Sequence, residues 1–297
     1  MMNMDKTYGA SLICRNEEKN IGPCIESIFK QTIKPEIVVI VDDASTDNTY
    51  EIIEKYAYKH LEIKPRQVYN IRYNRIKGYN ISKAISRSIS DLLTLSQPPY
   101  ILRMDADVVL NNPRYVETLL EIMDDDPEIG ITGGVSDKGK YMFRHITDAA
   151  RIYRLECLKD LLRTSPHEGY PIMYGHDSFM IFRAKWLGWK VKPVNIKFYD
   201  ARPYQRSVGR WFLTGRFRYM NGFTLIHQFF ACIRYLRYKP YIIGSIIAFL
   251  TYLLYHALPY KIYEKSYYNF MKRDLNEIVI IGLKNFSKRG NLRRLIY

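Results

Sequence analysis

Apolar residues over positions 1–200 come in two alternating kinds of run. Tyr8–Cys14, Ile37–Val41, Tyr100–Asp105 and Ile129–Val135 are short and compact, the pattern of strands, and the unbroken β-branched block Ile37–Val41 suits a strand buried on both faces. Between them the spacing becomes helical. Asn16, Glu17 and Glu18 open a stretch in which Ile21, Cys24, Ile25, Ile28 and Phe29 share one face. Ser45 or Thr46 is placed to cap a second helix reaching about His60, with Ile52, Ile53 and Tyr56 inward. A fainter strand at Gln67–Ile71 precedes a helix at Gly78–Ser90. Val108 and Val109 continue the apolar run beyond Asp105 until Asn111, Asn112 and Pro113 stop it. Further on, a helix leads to the solvated acidic turn Asp124–Pro127, Asp148–Leu162 reads as an amphipathic helix, and Lys192–Tyr199 reads as a strand. Strands alternating with helices predict an α/β fold with a doubly wound, mostly parallel sheet, in which ligands bind at the carboxyl ends of the strands.

The last third is of another kind. Tyr241–Leu258 contains no Asp, Glu, Lys or Arg, and as a helix it would reach roughly 27 Å, just short of a hydrocarbon core. Residues 201–240 hold eight Lys or Arg and no acid, and residues 259–297 hold nine against three acids. Positive flanks on both sides disfavour a simple crossing and favour a helix lying in the membrane interface, paired with Phe223–Arg234 across Tyr238-Lys239-Pro240. A single span, a buried helix and a dimer interface are the alternatives. The chain is therefore expected to divide into a catalytic domain at 1–222 and a basic, apolar, helical membrane-associated region at 223–297.

Charge also divides the chain, at about residue 200. The formal net charge is +15, yet residues 1–200 carry 28 Lys or Arg against 27 acids, and residues 201–297 carry 17 against 3. The basic residues flank an apolar segment, as at lipid surfaces, so no nucleic-acid partner is expected. Cys14, Cys24, Cys157 and Cys232 form no paired motif, which points to a reduced setting. The first residues lack the basic and apolar regions of a signal peptide, so the expected location is the cytoplasmic face of the cell membrane.

Candidate chemistry lies at the strand ends. Asp42, Asp43, Asp105 and Asp107 all follow predicted strands, and parallel strands bring such ends to one edge. Clustered carboxylates repel one another, and a hard divalent cation that also binds phosphates would relieve the repulsion.

The run Ser11–Asp47 together with Arg103–Val108, RMDADV, resembles the family-two glycosyltransferases of the GT-A fold over about the first 200 residues. That resemblance implies transfer of a sugar from a nucleoside-diphosphate sugar with inversion, using Mn²⁺ or Mg²⁺. By resemblance Asp43 accepts a hydrogen bond from the base, Asp107 ligates the metal on the diphosphate, and Asp105 lies near the ribose or a metal-bound water. A carboxylate only accepts hydrogen bonds, so it reads a ring N–H such as that of uracil or guanine. Arg15 departs from the aromatic residue of many relatives, although a guanidinium plane also stacks. Lys77-Gly78 is similar to the family's glycine-containing segment near the donor. Tyr174–Phe179 is similar to the family's Glu-Asp motif at a helix start, which makes Asp177 the general base and puts His176 where relatives have Glu. Asp200 stands where many relatives have a metal-binding His. Arg210-Trp211 is similar to a motif of processive synthases, but Ser207 replaces its Gln, which argues against processive synthesis.

The leading reading is an inverting, metal-dependent glycosyltransferase acting on a lipid-linked or glycan acceptor at the membrane surface. A nucleotidyltransferase forming the sugar nucleotide is the rival enzyme, although its Gly-rich, Arg-containing phosphate loop is missing near the first strand. A non-catalytic nucleotide-sugar or nucleic-acid binding protein is the rival without chemistry.

Overall fold

In the computed structural model, the residues described are 6–68, 79–138, 146, 148–165, 169–201, 208–236, 241–258 and 264–289. Two compact units divide the chain, Met1–Pro203 and Tyr204–Tyr297. The division falls earlier than the boundary at 222 expected from the apolar helical segments. The physical reason is helix α7 (Val208–Met220), which packs on α9 (Tyr241–Ala257) within the second unit.

The first unit opens with β1 (Tyr8–Cys14), α1 (Ile21–Phe29), β2 (Pro35–Asp42), α2 (Thr49–Lys59), β3 (Ile63–Gln67) and α3 (Tyr79–Leu95). It continues through β4 (Tyr100–Asp105), β5 (Val108–Val109), α4 (Tyr115–Asp125), β6 (Ile129–Ser136), β7 (Ala150–Arg154), α5 (Leu155–Arg163), α6 (His176–Trp186) and β8 (Lys190–Asp200). The sheet order is β3-β2-β1-β4-β7-β6-β8-β5. β7 runs antiparallel to both β4 and β6, β5 runs antiparallel to β8, and the other neighbouring pairs are parallel.

β2 meets the expectation of a strand buried on both faces. Val38 and Ile40 join a core with Ile21, Cys24, Ile25 and Ile28 of α1 and the apolar side of α4. Ile37, Val39 and Val41 point the other way, onto Ala84, Ile85, Ile89 and Leu92 of α3 and the inner faces of α5 and α6. Chain order reverses at β1, which has β2 on one side and β4 on the other, so the crevice of a doubly wound sheet lies there.

Three local expectations change. The third strand is Ile63–Gln67, not Gln67–Ile71, whose last three residues lie outside those described. Asp148–Leu162 is not one helix: Ala150–Arg154 is a strand, because Ile152 and Tyr153 fill the two cores from opposite faces of the sheet, and the helix starts at Leu155. Helix α1 begins at Ile21, because Asn16 adopts left-handed backbone at φ 53 and its side chain is used elsewhere.

In the second unit α8 (Leu225–Tyr235) and α9 (Tyr241–Ala257) pack together, and α10 (Lys265–Arg289) follows. Gln228 donates to the Ala248 carbonyl at 3.0 Å and Ser245 donates to the Cys232 carbonyl at 2.6 Å, a pairing that runs the two helices antiparallel. No helix among the described residues is long and apolar enough to cross a membrane.

Candidate active site

Parallel register sets the aspartates in place. Cys14 of β1 lies beside Asp42, and Ile13 lies beside Asp105, so the ends of β1, β2 and β4 form one edge. The loops leaving β1 and β2 are stitched to each other there. Asn16 N–H donates to Ser45 Oγ at 2.9 Å, Thr46 N–H donates to Asn16 Oδ1 at 2.8 Å, and Glu17 N–H donates to Thr49 Oγ1 at 2.7 Å. Ser45 and Thr46 thus join two loops instead of capping α2, whose cap residue is Asn48. Asn16 and Ala44 both sit at positive φ, 53 and 56, a cost accepted on either side of this crevice.

The two neighbouring aspartates at the end of β2 differ in their surroundings. Asp42 is fully buried and accepts from the Ser45 N–H at 3.2 Å and from the Ser45 hydroxyl, which ties down the turn. Asp43, at the crevice, has the Arg15 guanidinium 3.8 Å from Oδ2. The structure therefore brings together the carboxylate expected to read the base and Arg15, which stands where the resemblance leads one to expect an aromatic residue.

At the end of β4 the two acids also differ. Asp105 is ion-paired to Arg103 at 2.7 Å, while burial pushes its carboxyl up to about 7 against the pull of that guanidinium. Asp107 meets Asp200 through the short β5–β8 pair, where Val108 lies opposite Asp200 and the Ala201 N–H donates to the Asp107 carbonyl at 2.9 Å. Burial and then the Asp200 charge push the Asp107 carboxyl up. Among the described residues no three Asp, Glu, His or Cys side chains gather into a metal site. A pair of mutually repelling oxygen donors nevertheless fits Mn²⁺ or Mg²⁺, which bind through one or two carboxylates together with substrate phosphates and water. Asp107 and Asp200 are the residues suited to that task, and Asp105, paired with Arg103, is less so.

A buried charge network, not expected from the sequence, runs from this edge to helix α6. Arg103, only 2 % exposed, pairs with Asp105 and, at 3.1 Å, with Asp148. Asp148 pairs in turn with fully buried Arg151 at 3.1 Å, and Arg151 donates to the Asp177 carbonyl at 3.1 Å. Burial alone would raise the Asp148 carboxyl, but the two guanidiniums hold it down at about 2. The signal was an Arg inside each of two otherwise apolar strands, where an unpaired charge would be costly.

Asp177 sits in the first turn of α6. Its neighbour Gly175 is the N-cap, left-handed at φ 76, with no side-chain cap hydrogen bond, so Asp177 is not acting as the cap. His176 is buried with Nδ1 2.9 Å from the Tyr170 hydroxyl, and burial lowers its basicity, which makes it a packing residue. Lys77 and Ser207 lie outside the described residues.

Comparison with known proteins bears on the family and the fold. The profile of Glycosyl transferase family 2 matches residues 11–188. The 4,4'-diaponeurosporenoate glycosyltransferase of Staphylococcus haemolyticus is 32% identical over 119 residues, a match spanning 39% of this chain and only 29% of that longer protein. Among solved structures, the mannosyltransferase PcManGT of Pyrobaculum calidifontis, in complex with GDP-Man and Mn²⁺, superposes with a TM-score of 0.54 at 15% identity. The superposition covers 98% of this chain and 84% of that one. S. aureus TarS 1-349 in complex with UDP-GlcNAc gives a TM-score of 0.51 at 16% identity, covering 98% and 89%. The chain is therefore a member of glycosyl transferase family 2, a glycosyltransferase of the GT-A fold.

Proposed function

We propose that the protein moves a sugar, with inversion, from a nucleoside-diphosphate sugar to a lipid-linked or glycan acceptor at the cytoplasmic face of the cell membrane. The observation that carries the donor side is that Asp43, Asp105, Asp107 and Asp200 lie at the carboxyl ends of β2, β4 and β8, with the ends of β2 and β4 on either side of β1. The bound complexes of the two structural relatives support the same donor class.

Each residue has a task fixed by its chemistry. Asp43 accepts the ring N–H of uracil or guanine, and Arg15 lies beside it where a base plane can stack. Asp107 and Asp200 would hold Mn²⁺ or Mg²⁺, which supplies charge neutralisation at the departing diphosphate. Asp105 stands next to them, its orientation fixed by Arg103. On the acceptor side Asp177 takes the hydroxyl proton as that oxygen bonds to the anomeric carbon, and the bond to the diphosphate oxygen breaks on the opposite side. Asp177 lies in the first turn of α6, so its backbone position is set by the helix start. The excess of Lys and Arg beyond residue 200 supports the membrane location.

A thermal-shift panel of UDP, GDP and CDP with and without Mn²⁺ tests the donor side. A ligand that binds only the native state raises Tm by mass action. UDP or GDP should stabilise the protein and Mn²⁺ should enlarge the shift. No shift with any nucleotide, or equal shifts with CDP, would refute the base-reading role of Asp43.

A further inference from the structure

The paired helices α8 and α9 are built inside out. Their mutual interface holds Gln228, Ala231, Cys232, Ser245 and Ala248, all buried and joined by the two side-chain hydrogen bonds described above. Large aliphatic side chains point the other way. On α8, Ile226 is 62% exposed and Phe229 54%, with Leu225 and Ile233 on the same side. On α9, Ile242 is 63% exposed, Ile246 50% and Leu250 58%, with Ile243 and Leu254 beside them. These positions recur every three or four residues, so each helix presents one continuous apolar stripe. In water such an arrangement wastes apolar surface, and exposed patches of this extent mark a surface that meets something. Small and hydroxyl-bearing residues between helices, with aliphatics outward, are how helices pack against lipid. Close packing extends to α7. A Cβ on Gly244 would lie 2.5 Å from the Trp211 ring, and one on Gly215 would lie 2.3 Å from the Ala248 carbonyl.

Charge identifies the occupant. Residues 201–263 carry nine Lys or Arg and no Asp or Glu, so the segment bearing the apolar face is drawn to negative charge without local opposition. We infer that the outward stripes of α8 and α9 together form a docking surface for an anionic phospholipid bilayer, with both helices lying in the interfacial plane. Helix α9, at 17 residues, is too short to cross when upright, and the polar contacts with α8 hold it in an antiparallel pair. The basic residues draw the protein to the surface and the aliphatic stripes retain it. This names the membrane partner within the proposed function, on which it rests, and it assigns the side chains of the expected helix pair that meet the lipid.

Flotation of the full chain with phosphatidylcholine vesicles, with and without phosphatidylglycerol, provides the test. The chain should float with the anionic vesicles and remain attached after a high-salt wash. Replacing Phe229 and Ile246 together by Ser should lower the salt-resistant bound fraction about tenfold, because both side chains face outward and lost apolar burial translates directly into affinity. Ile226→Ser with Leu250→Ser is an independent pair on the same face and should behave alike, with Tm unchanged in both. Failure of the full chain to float, or equal flotation of both variants, would overturn the inference. So would a dimer in sedimentation that the variants dissociate while the vesicles stay empty, since the occupant would then be a second copy. Flotation needs neither donor nor acceptor, so its failure would leave the donor chemistry standing.

Discussion

At Asp177 two duties make opposite predictions. A cap tolerates Asn as well as Asp, whereas a base does not. Since Gly175 holds the cap position, Asp177→Asn should lower kcat by about 100-fold or more while donor affinity and Tm stay near wild type. Steady-state kinetics with a titration of donor binding would show this, and wild-type turnover would defeat the role of base. Asp107→Asn keeps the shape but removes the charge facing Asp200, so the Mn²⁺-dependent gain in nucleotide affinity should vanish while metal-free affinity remains. Isothermal calorimetry with and without Mn²⁺ separates the two. Asp148 carries a pH signature of its own. Its carboxyl is held at about 2 in the fold, below an unfolded value of about 4. The stability it contributes is therefore fully present above about pH 4 and is lost as pH falls through about 2. Asp148→Asn should flatten that acid limb of a Tm-against-pH curve and lower Tm at neutral pH, since Arg103 and Arg151 lose their shared counter-charge.

Among elements, those with one clear period were legible. β2 has an unbroken β-branched run, and α1 has a strict apolar face, so both fall where the spacing puts them, apart from the start of α1. Legibility failed where two periods abut. Ile152 and Tyr153 lead directly into Leu155, Leu158 and Leu161, so a strand and a helix merge into one amphipathic pattern with no Gly or Pro between them. The strand-end aspartates could be read because chain order alone brings parallel strand ends together. The partners Arg103, Asp148 and Arg151 could not, since which buried charges meet depends on the antiparallel placement of β7 beside β4, which local spacing does not encode. Packing of α7 on α9 is equally non-local, and it makes a prediction. A Cβ at Gly215 would clash with backbone at Ala248, not with a flexible side chain. Gly215→Ala should therefore destabilise the second unit by about 1–3 kcal/mol, against the small gain that Gly→Ala usually gives in a helix. Denaturant unfolding followed by tryptophan fluorescence in a Trp186→Phe, Trp189→Phe background, where Trp211 is the sole reporter, would measure it.

On the scale of the whole molecule, the proposed donor chemistry and the proposed lipid contact fall in different units. The family match ends at residue 188, within the first unit, and the near-neutral charge of residues 1–200 contrasts with the excess of 17 Lys or Arg over 3 acids beyond them. Donor and lipid should then act on different parts of the chain, which hydrogen exchange can resolve because protection reports local opening. UDP or GDP with Mn²⁺ should slow exchange at the ends of β1, β2 and β4 and in the two stitched loops, where the bound nucleotide would restrain the left-handed Asn16 and Ala44. Anionic vesicles should slow exchange in α8 and α9. Each ligand binds its own surface, so a nucleotide effect largest in α8 and α9 would show that the strand-end crevice is not the donor site. A vesicle effect largest at the strand ends would show that the lipid-facing surface lies in the first unit.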